Sequence, residues 1–263
     1  EKRPYSKIAW HQLGKIYNKQ GKFKESISAF DFAIISDDQF VSAYIEKAKV
    51  LEKLKRYNEA IENFRLSSEL SEPNSFVYYR IAKCYIKINN KKLFLDFIKK
   101  SVREEPGNEK AWIFLIKYYL RNNNFRQAKY LSSKALINNH NSIKILRLNA
   151  IILKENGETR EAIKFYNQIL DFKENLSWKI WKGFLKCLID NKEWSEVLRT
   201  SLKAKKHYPN KAFLDFTISG CLLKNGKINE AIYFYQSGKK TCQVPEKLIK
   251  YFPEFNENKT LLV

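Results

Sequence analysis

Large apolar, small and polar residues return along this chain in a fixed order. Trp10, Leu13, Gly14, Tyr17, Gly21, Phe30 and Ala33 are answered 34 positions later by Tyr44, Ala48, Leu51, Ala60 and Phe64. Tyr78, Ile81, Ala82 and Tyr85 continue the series, followed by Trp112, Leu115, Tyr119, Ala128 and Ala135. Within each period the pattern predicts a helix of about a dozen residues, a short turn, and a second helix packed antiparallel to it. In the first period helix A covers residues 7–20 and helix B residues 23–35. Gly21 lies in the turn between them, where the backbone needs a left-handed conformation that glycine tolerates best. Gly157 and Gly226 hold the same place, and Asn89 and Asn123 stand in for glycine. Ala48, Ala82 and Ala150 match Gly14, where helices A and B must approach closely, and Ala60, Ala128, Ala162 and Ala231 supply the contact from helix B.

Seven such units can be laid end to end, starting near Lys7, Val41, Ser75, Glu109, Ile143, Trp178 and Ala212. The step from the fifth to the sixth needs one extra residue, expected within 171–176. The seventh is degenerate, with Asp215 where the others carry Trp, Tyr or Leu. Pro106 and Pro209 punctuate unit ends. The expected organisation is a remnant of a preceding repeat over 1–6, in which Pro4 takes the closing position, an array over 7–243, and a cap and tail over 244–263. One short amphipathic helix is expected at 247–252, ended by Pro253 and followed by a loosely held polar tail.

Trp10-x2-Leu13-Gly14-x2-Tyr17 in a 34-residue period resembles the tetratricopeptide repeat, or TPR, over about residues 7–243. The segments Trp10-His11-Gln12-Leu13-Gly14 and Leu51-Glu52-Lys53-Leu54-Lys55-Arg56-Tyr57 are similar to those of long, largely uncharacterised bacterial TPR scaffold proteins. The resemblance implies an all-α, right-handed α-solenoid of about seven helix-turn-helix units with a C-terminal capping helix. It also implies a concave groove of the kind that holds an extended peptide or a partner helix. Some members grip a C-terminal carboxylate with Lys, Arg and Asn. Here Lys15 and Glu46 occupy phases where that clamp needs Asn, so the clamp is not carried over.

The repeat phase also disposes of most candidate chemistry. Trp10, Tyr17, Tyr44, Tyr78, Tyr85, Trp112, Tyr119 and Trp181 occupy packing positions, which points to core rather than nucleotide stacking. Cys84, Cys187 and Cys221 share one helix-A phase that favours a small residue, and with Cys242 they form no CxxC pair or metal-ligand spacing. His11, His140 and His207 lie in different units and phases. No phosphate-loop, dinucleotide, zincin or nucleophile-elbow motif occurs, so the expectation is a non-enzyme with no cofactor, no metal site and no small-molecule substrate. No apolar run approaches the roughly 18 residues of a membrane span and no signal peptide is evident, so the expected setting is the cytoplasm.

Charge adds the one feature that packing does not absorb. Lys and Arg number 49 against 28 Asp and Glu, a formal net charge of +21. A general bias toward Lys, Asn and Ile would produce such an excess, so its placement decides its meaning. Lys15, Lys49, Lys83 and Lys117 recur at repeat spacing on helix A, and Lys19, Lys53, Lys87 and Arg121 recur one turn later. Four residues apart, the two rows share one helix face, which in a TPR array is the concave one. Glu46 and Glu52 partly neutralise the second unit, and the rows decay in units five to seven. These eight cations are the candidate ligand contacts, for a scaffold binding an acidic, extended protein segment in a basic groove. RNA or another polyanion in the same groove is the alternative, with Phe76, Tyr79, Phe213 and Phe216 as accessible aromatics. A third reading is an architectural segment of a larger scaffold, for which an exposed apolar edge at the first helix would be the sign.

Overall fold

Among the described residues, positive φ occurs at Gly21, Lys55, Asn89, Asn123, Gly157, Lys192 and Gly226. All seven hold one place in the period, immediately after the first helix of a pair. At six of them the following N–H returns to the carbonyl five residues back, as in Lys22 to Tyr17 at 2.9 Å and Glu158 to Leu153 at 2.8 Å. That bond and the left-handed residue together form a Schellman C-cap. The sequence pointed to five of the seven through Gly and Asn. Lys55 and Lys192 were not legible, because packing on both sides imposes the turn on a residue that resists it. A left-handed non-glycine costs about 1 kcal/mol or more. Lys55→Gly is therefore expected to raise the urea midpoint, by a net of about 0.5 kcal/mol once glycine's extra chain entropy is subtracted.

The computed structural model describes residues 6–172 and 176–257. Its helices form two compact units, Glu1–Asn122 and Asn123–Val263. In the first, α1 (Lys7–Lys19) pairs with α2 (Phe23–Ser36), α3 (Val41–Lys53) with α4 (Tyr57–Glu69), and α5 (Ser75–Lys87) with α6 (Lys91–Glu104), while α7 (Glu109–Arg121) packs on α6. In the second, α8 (Phe125–Asn138) packs on α9 (Ile143–Glu155). The helices α10 (Thr159–Phe172), α11 (Trp178–Asp190), α12 (Trp194–His207), α13 (Ala212–Lys224) and α14 (Ile228–Lys239) follow, each against its predecessor. The boundary between the compact units falls between α7 and α8, inside the fourth period. The molecule is an all-α repeat solenoid.

Capping explains several helix starts. Ser6, Asn74, Asn108 and Ser142 each accept a backbone N–H of the first turn through their side chains. The close approach expected at Gly14 is real, since a Cβ there would stand 2.6 Å from the Phe30 ring. Ser26, on the facing helix, donates its hydroxyl to the Gly14 carbonyl at 2.8 Å. In the last full pair the arrangement is reversed, with Ser219 on helix A donating to the Ala231 carbonyl at 2.8 Å. Ala60, Ala128, Ala162 and Ala231 are fully buried, as the pattern required.

The aromatic series is less uniform than its phase suggested. Tyr85, Trp112 and Trp181 are buried, but Trp10, Tyr17, Tyr44, Tyr78 and Tyr119 are half-buried. Phe216, expected to be accessible, is fully buried among Tyr235 and Phe255. Its ring fills the space beside Gly238, where a Cβ would meet it at 2.8 Å.

The C-terminal end also differs from a single helix over 247–252. Two short turns form instead, α15 (Glu246–Ile249) and α16 (Glu254–Glu257). Pro253 separates them because it lacks an N–H to continue the first. Phe252 is fully buried and packs over Gly220 and against Trp194, at 5.3 Å between ring centroids. The expected remnant over 1–6 lies outside the described residues except for Ser6. The extra residue expected within 171–176 falls partly outside them. Of the tail expected to be loosely held after Pro253, residues 254–257 instead form α16 with Phe255 buried, and residues 258–263 lie outside the described residues. No described helix is long and apolar enough to cross a membrane.

Candidate ligand-binding face of the first unit

The first helices of successive pairs touch, in two cases through residues of the basic rows. Lys53 on α3 donates to the Asn18 side-chain oxygen on α1 at 2.7 Å. Lys83 on α5 donates to Glu52 on α3 at 2.8 Å. Tyr79 on α5 lies edge-on to Phe114 on α7, 5.9 Å between centroids. These contacts set α1, α3, α5 and α7 side by side and bring their rows onto one face.

The two rows are not equivalent. Lys15, Lys49 and Lys83 are half-buried, whereas Lys117 and the whole second row, Lys19, Lys53, Lys87 and Arg121, are exposed. Nor are all the cations free. Lys49 is bound by Glu46 at 2.6 Å one turn before it. Glu52 receives two cations, Lys83 and Arg80, each at 2.8 Å, with the Glu52 side chain only 14% exposed. The Arg80 contact lacks hydrogen-bond alignment, and its Nε is buried without a partner. The guanidinium is seated instead by the rings of Phe64 at 6.0 Å and Phe76 at 5.7 Å. Lys49 and Lys83 thus have structural partners in Glu46 and Glu52, the two carboxylates expected to neutralise part of the row. Lys15, Lys19, Lys87, Lys117 and Arg121 have no ion pair among the described residues, and Lys53 bonds only the neutral Asn18 and rests over the Phe23 ring at 5.6 Å.

Arg80 is the residue the sequence reading missed. It has no basic counterpart one period away, since Gln12, Glu46 and Phe114 hold its phase. A search for like residues at like phase passes over it. The signal that would have found it is opposite charge at one phase, Glu46 against Arg80.

His11 lies at the edge of the same face, half-buried between the rings of Phe30 and Phe40 at 5.7 and 5.2 Å. Burial lowers its pKa first, the charges of Lys15 and Lys49 lower it further, and Glu46 opposes them. Its Nε2 is buried without a hydrogen-bond partner. These effects favour the neutral imidazole, so His11 does not extend the basic rows. Cys84, behind this face, is buried, which pushes its thiol up to about 12. No group of three His, Cys, Asp or Glu that could hold a metal ion occurs among the described residues. What the face offers a ligand is positive charge on long side chains.

Residues 8–34 and 41–74 match the family model of the tetratricopeptide repeat. Together with the helix pairs and their recurrent C-caps, this match supports a tetratricopeptide-repeat protein. The tetratricopeptide repeat-containing protein trd-1 of Caenorhabditis elegans is 25% identical over 171 residues, which is 65% of this chain and 21% of that protein. The chain therefore spans about one fifth of that relative's length. Among solved structures, the C-terminal part of a TPR repeat-containing protein from Cytophaga hutchinsonii has a TM-score of 0.74 at 13% identity, over 92% of this chain and 98% of that one. Pseudomonas aeruginosa PilF has a TM-score of 0.59 at 17% identity, over 78% of this chain and 93% of that one. These likenesses establish the fold. Repeats of this family generally mediate protein–protein interaction on scaffolds that are generally non-catalytic.

Proposed function

We propose that the first unit is a non-catalytic scaffold that binds an acidic, extended protein segment along the face of α1, α3, α5 and α7. The observation that carries this reading is the set of cations that no protein carboxylate neutralises among the described residues. Glu52 and Glu46 absorb Lys83, Arg80 and Lys49, while Lys15, Lys19, Lys53, Lys87, Lys117 and Arg121 remain without carboxylate partners among the described residues. Like charges held side by side raise the free energy of the unliganded face, and an anionic chain relieves that repulsion. The helix spacing suits an extended strand of acidic residues better than a compact ligand, because the cations recur once per helix pair.

The test is fluorescence anisotropy with a labelled, unstructured Glu/Asp-rich peptide. Binding should weaken steeply as salt rises. The variant to compare carries Lys15→Glu, Lys87→Glu and Lys117→Glu. Lys49 and Lys83 are poor choices, since reversing them would also expel Glu46 and Glu52 from their partners. At about 0.5–1 kcal/mol per charge contact, the triple reversal should weaken binding about tenfold to a hundredfold with helicity unchanged. Unaltered affinity would sink the assignment, and short single-stranded RNA that outcompetes the peptide at physiological salt would replace it with the polyanion reading.

One observation favours the architectural reading as a second role. Ile8 and Ile16 on α1 are 59% and 50% exposed, and Phe32 and Ile35 on α2 are 48% and 79% exposed, with Phe32 stacked on Trp10. An apolar edge of this kind on the first helix pair suits contact with a further helix pair. Under that reading Ile8→Lys with Ile35→Lys should abolish concentration-dependent self-association in sedimentation. Association that survives the pair of changes would remove the reading.

A further inference from the structure

The second unit contains a cavity of about 880 Å³ that the repeat pattern alone would not create. Its floor is the equivalent face of the first helices of the later pairs, with Lys154 from α9, Lys182 and Lys186 from α11, and Phe213 from α13. Its other wall is the segment 242–251, which follows α14 and contributes Lys247, Lys250 and Tyr251. The segment is fastened at its end and again just beyond it. Tyr251 donates its hydroxyl to Asp190 at the end of α11, and Lys224 at the end of α13 bonds Glu254 at 2.8 Å. An open helix face is thereby turned into a pocket, and its volume lies in the roughly 300–1,000 Å³ range of small-molecule sites.

Five lysines line this pocket against two carboxylates, Asp190 and Glu246. Asp190 is already committed, to Lys154 at 2.9 Å and to the Tyr251 hydroxyl. That hydrogen bond, then burial, pushes the Tyr251 phenol up to about 12, so the latch stays protonated at neutral pH. Lys182, Lys186, Lys247 and Lys250 have no ion pair among the described residues. Their ammonium groups also sense one another. Lys186 is lowered first by burial and then by Lys182, Lys154 and Lys247, with only Asp190 opposing. Asp190 offsets that repulsion only in part, and the walls beside it are apolar, with Ile189, Phe213, Pro245 and Leu248 facing the same space.

We propose that this pocket binds a small organic phosphate, its dianion among Lys182, Lys186 and Lys247 and its apolar body against Phe213 and Tyr251. Lysine meets phosphate as a compact point charge, and a dianion offsets converging ammonium groups better than a single carboxylate does. The segment 242–251 walls off one side of the face that an extended chain would need, which favours a small ligand over a polymer. The site stands independently of the peptide reading for the first unit, because every residue that forms it lies in the second.

Cys242 provides a direct readout. It lines the pocket and is exposed, whereas Cys84, Cys187 and Cys221 are buried, with their thiols pushed up to about 12. The rate of Cys242 alkylation by neutral iodoacetamide is measured with phenyl phosphate, inorganic phosphate or benzoate, at ionic strength held constant with sodium chloride. Phenyl phosphate is expected to slow alkylation several-fold at concentrations where inorganic phosphate and benzoate do less. Lys182→Gln with Lys186→Gln, which keeps the apolar stems of both exposed side chains in outline, should remove the protection, read as the ratio of liganded to unliganded rate within each protein, while helicity stays unchanged. Absent protection, protection that survives the double variant, or equal protection by benzoate would each overturn the proposal. Equal protection by inorganic phosphate would overturn the organic body and leave a site for free phosphate. Peptide binding by the first unit is unaffected by any of these outcomes.

Discussion

Lys205→Ala is expected to destabilise the second unit by about 2–4 kcal/mol, while Asp215→Leu at the other end of the same bond should be neutral or stabilising by about 1 kcal/mol or more. Asp215 is 3% exposed, and its carboxylate is held by the Lys205 ammonium at 2.6 Å. It stands in the phase that Trp10, Tyr44, Tyr78, Trp112, Leu146 and Trp181 fill in the other units. Removing Lys205 strands a buried carboxylate among apolar neighbours, with only such water as the vacated stem admits. Removing Asp215 strands nothing, because Lys205 is 23% exposed and also donates to the Pro209 carbonyl at 2.9 Å. Leucine would also restore the apolar side chain that the fifth unit carries at this phase. Urea unfolding followed by circular dichroism distinguishes the two signs. Equal losses for both variants would show that the pair, rather than the desolvated carboxylate, sets the cost.

Trp181→Ala is expected to cost about 3–5 kcal/mol, and the same change at Trp10 about 1–2 kcal/mol. The two residues share a repeat phase, as does Trp112, so sequence position alone predicts one effect for all three. Burial separates them. Trp181 is 1% exposed in the main core of its unit, Trp112 is 7% exposed with its indole N–H on the Pro106 carbonyl at 2.8 Å, and Trp10 is half-buried against the exposed ring of Phe32. A large buried indole leaves a cavity its neighbours cannot fill, whereas a half-exposed one gives up area already shared with water. Unfolding midpoints should therefore fall most for Trp181 and least for Trp10. Equal shifts would mean that phase, not burial, controls the energetics.

The same contrast runs through the rest of the chain. Gly21, Gly157, Gly226, Asn89 and Asn123 announced the helix C-caps because their own backbone preferences match the turn. Lys55 and Lys192 gave no such sign, since neighbouring packing overrides their preference. The basic rows were legible as a period. What was hidden was their partnership, because Glu52 lies 31 residues from Lys83 and outside its phase. Arg80 joins that carboxylate without any counterpart in the neighbouring units. Phe216 read as an accessible aromatic until the C-terminal turns covered it.

By itself the sequence determined what repeats. Helix pairs, their left-handed stops, the small residues at close approaches and the two basic rows all follow from local preferences restated every 34 residues. Only the tertiary structure decided which charges are spent and which remain. It seated Lys83 and Arg80 on one carboxylate, buried Asp215 beside Lys205, and joined Tyr251 to Asp190 across 61 residues to close a lysine-lined pocket. The physical reason is that turn and helix preferences act within a few residues. Ion pairing and desolvation depend on which distant groups come within a few ångströms, and a period in the sequence does not encode that distance.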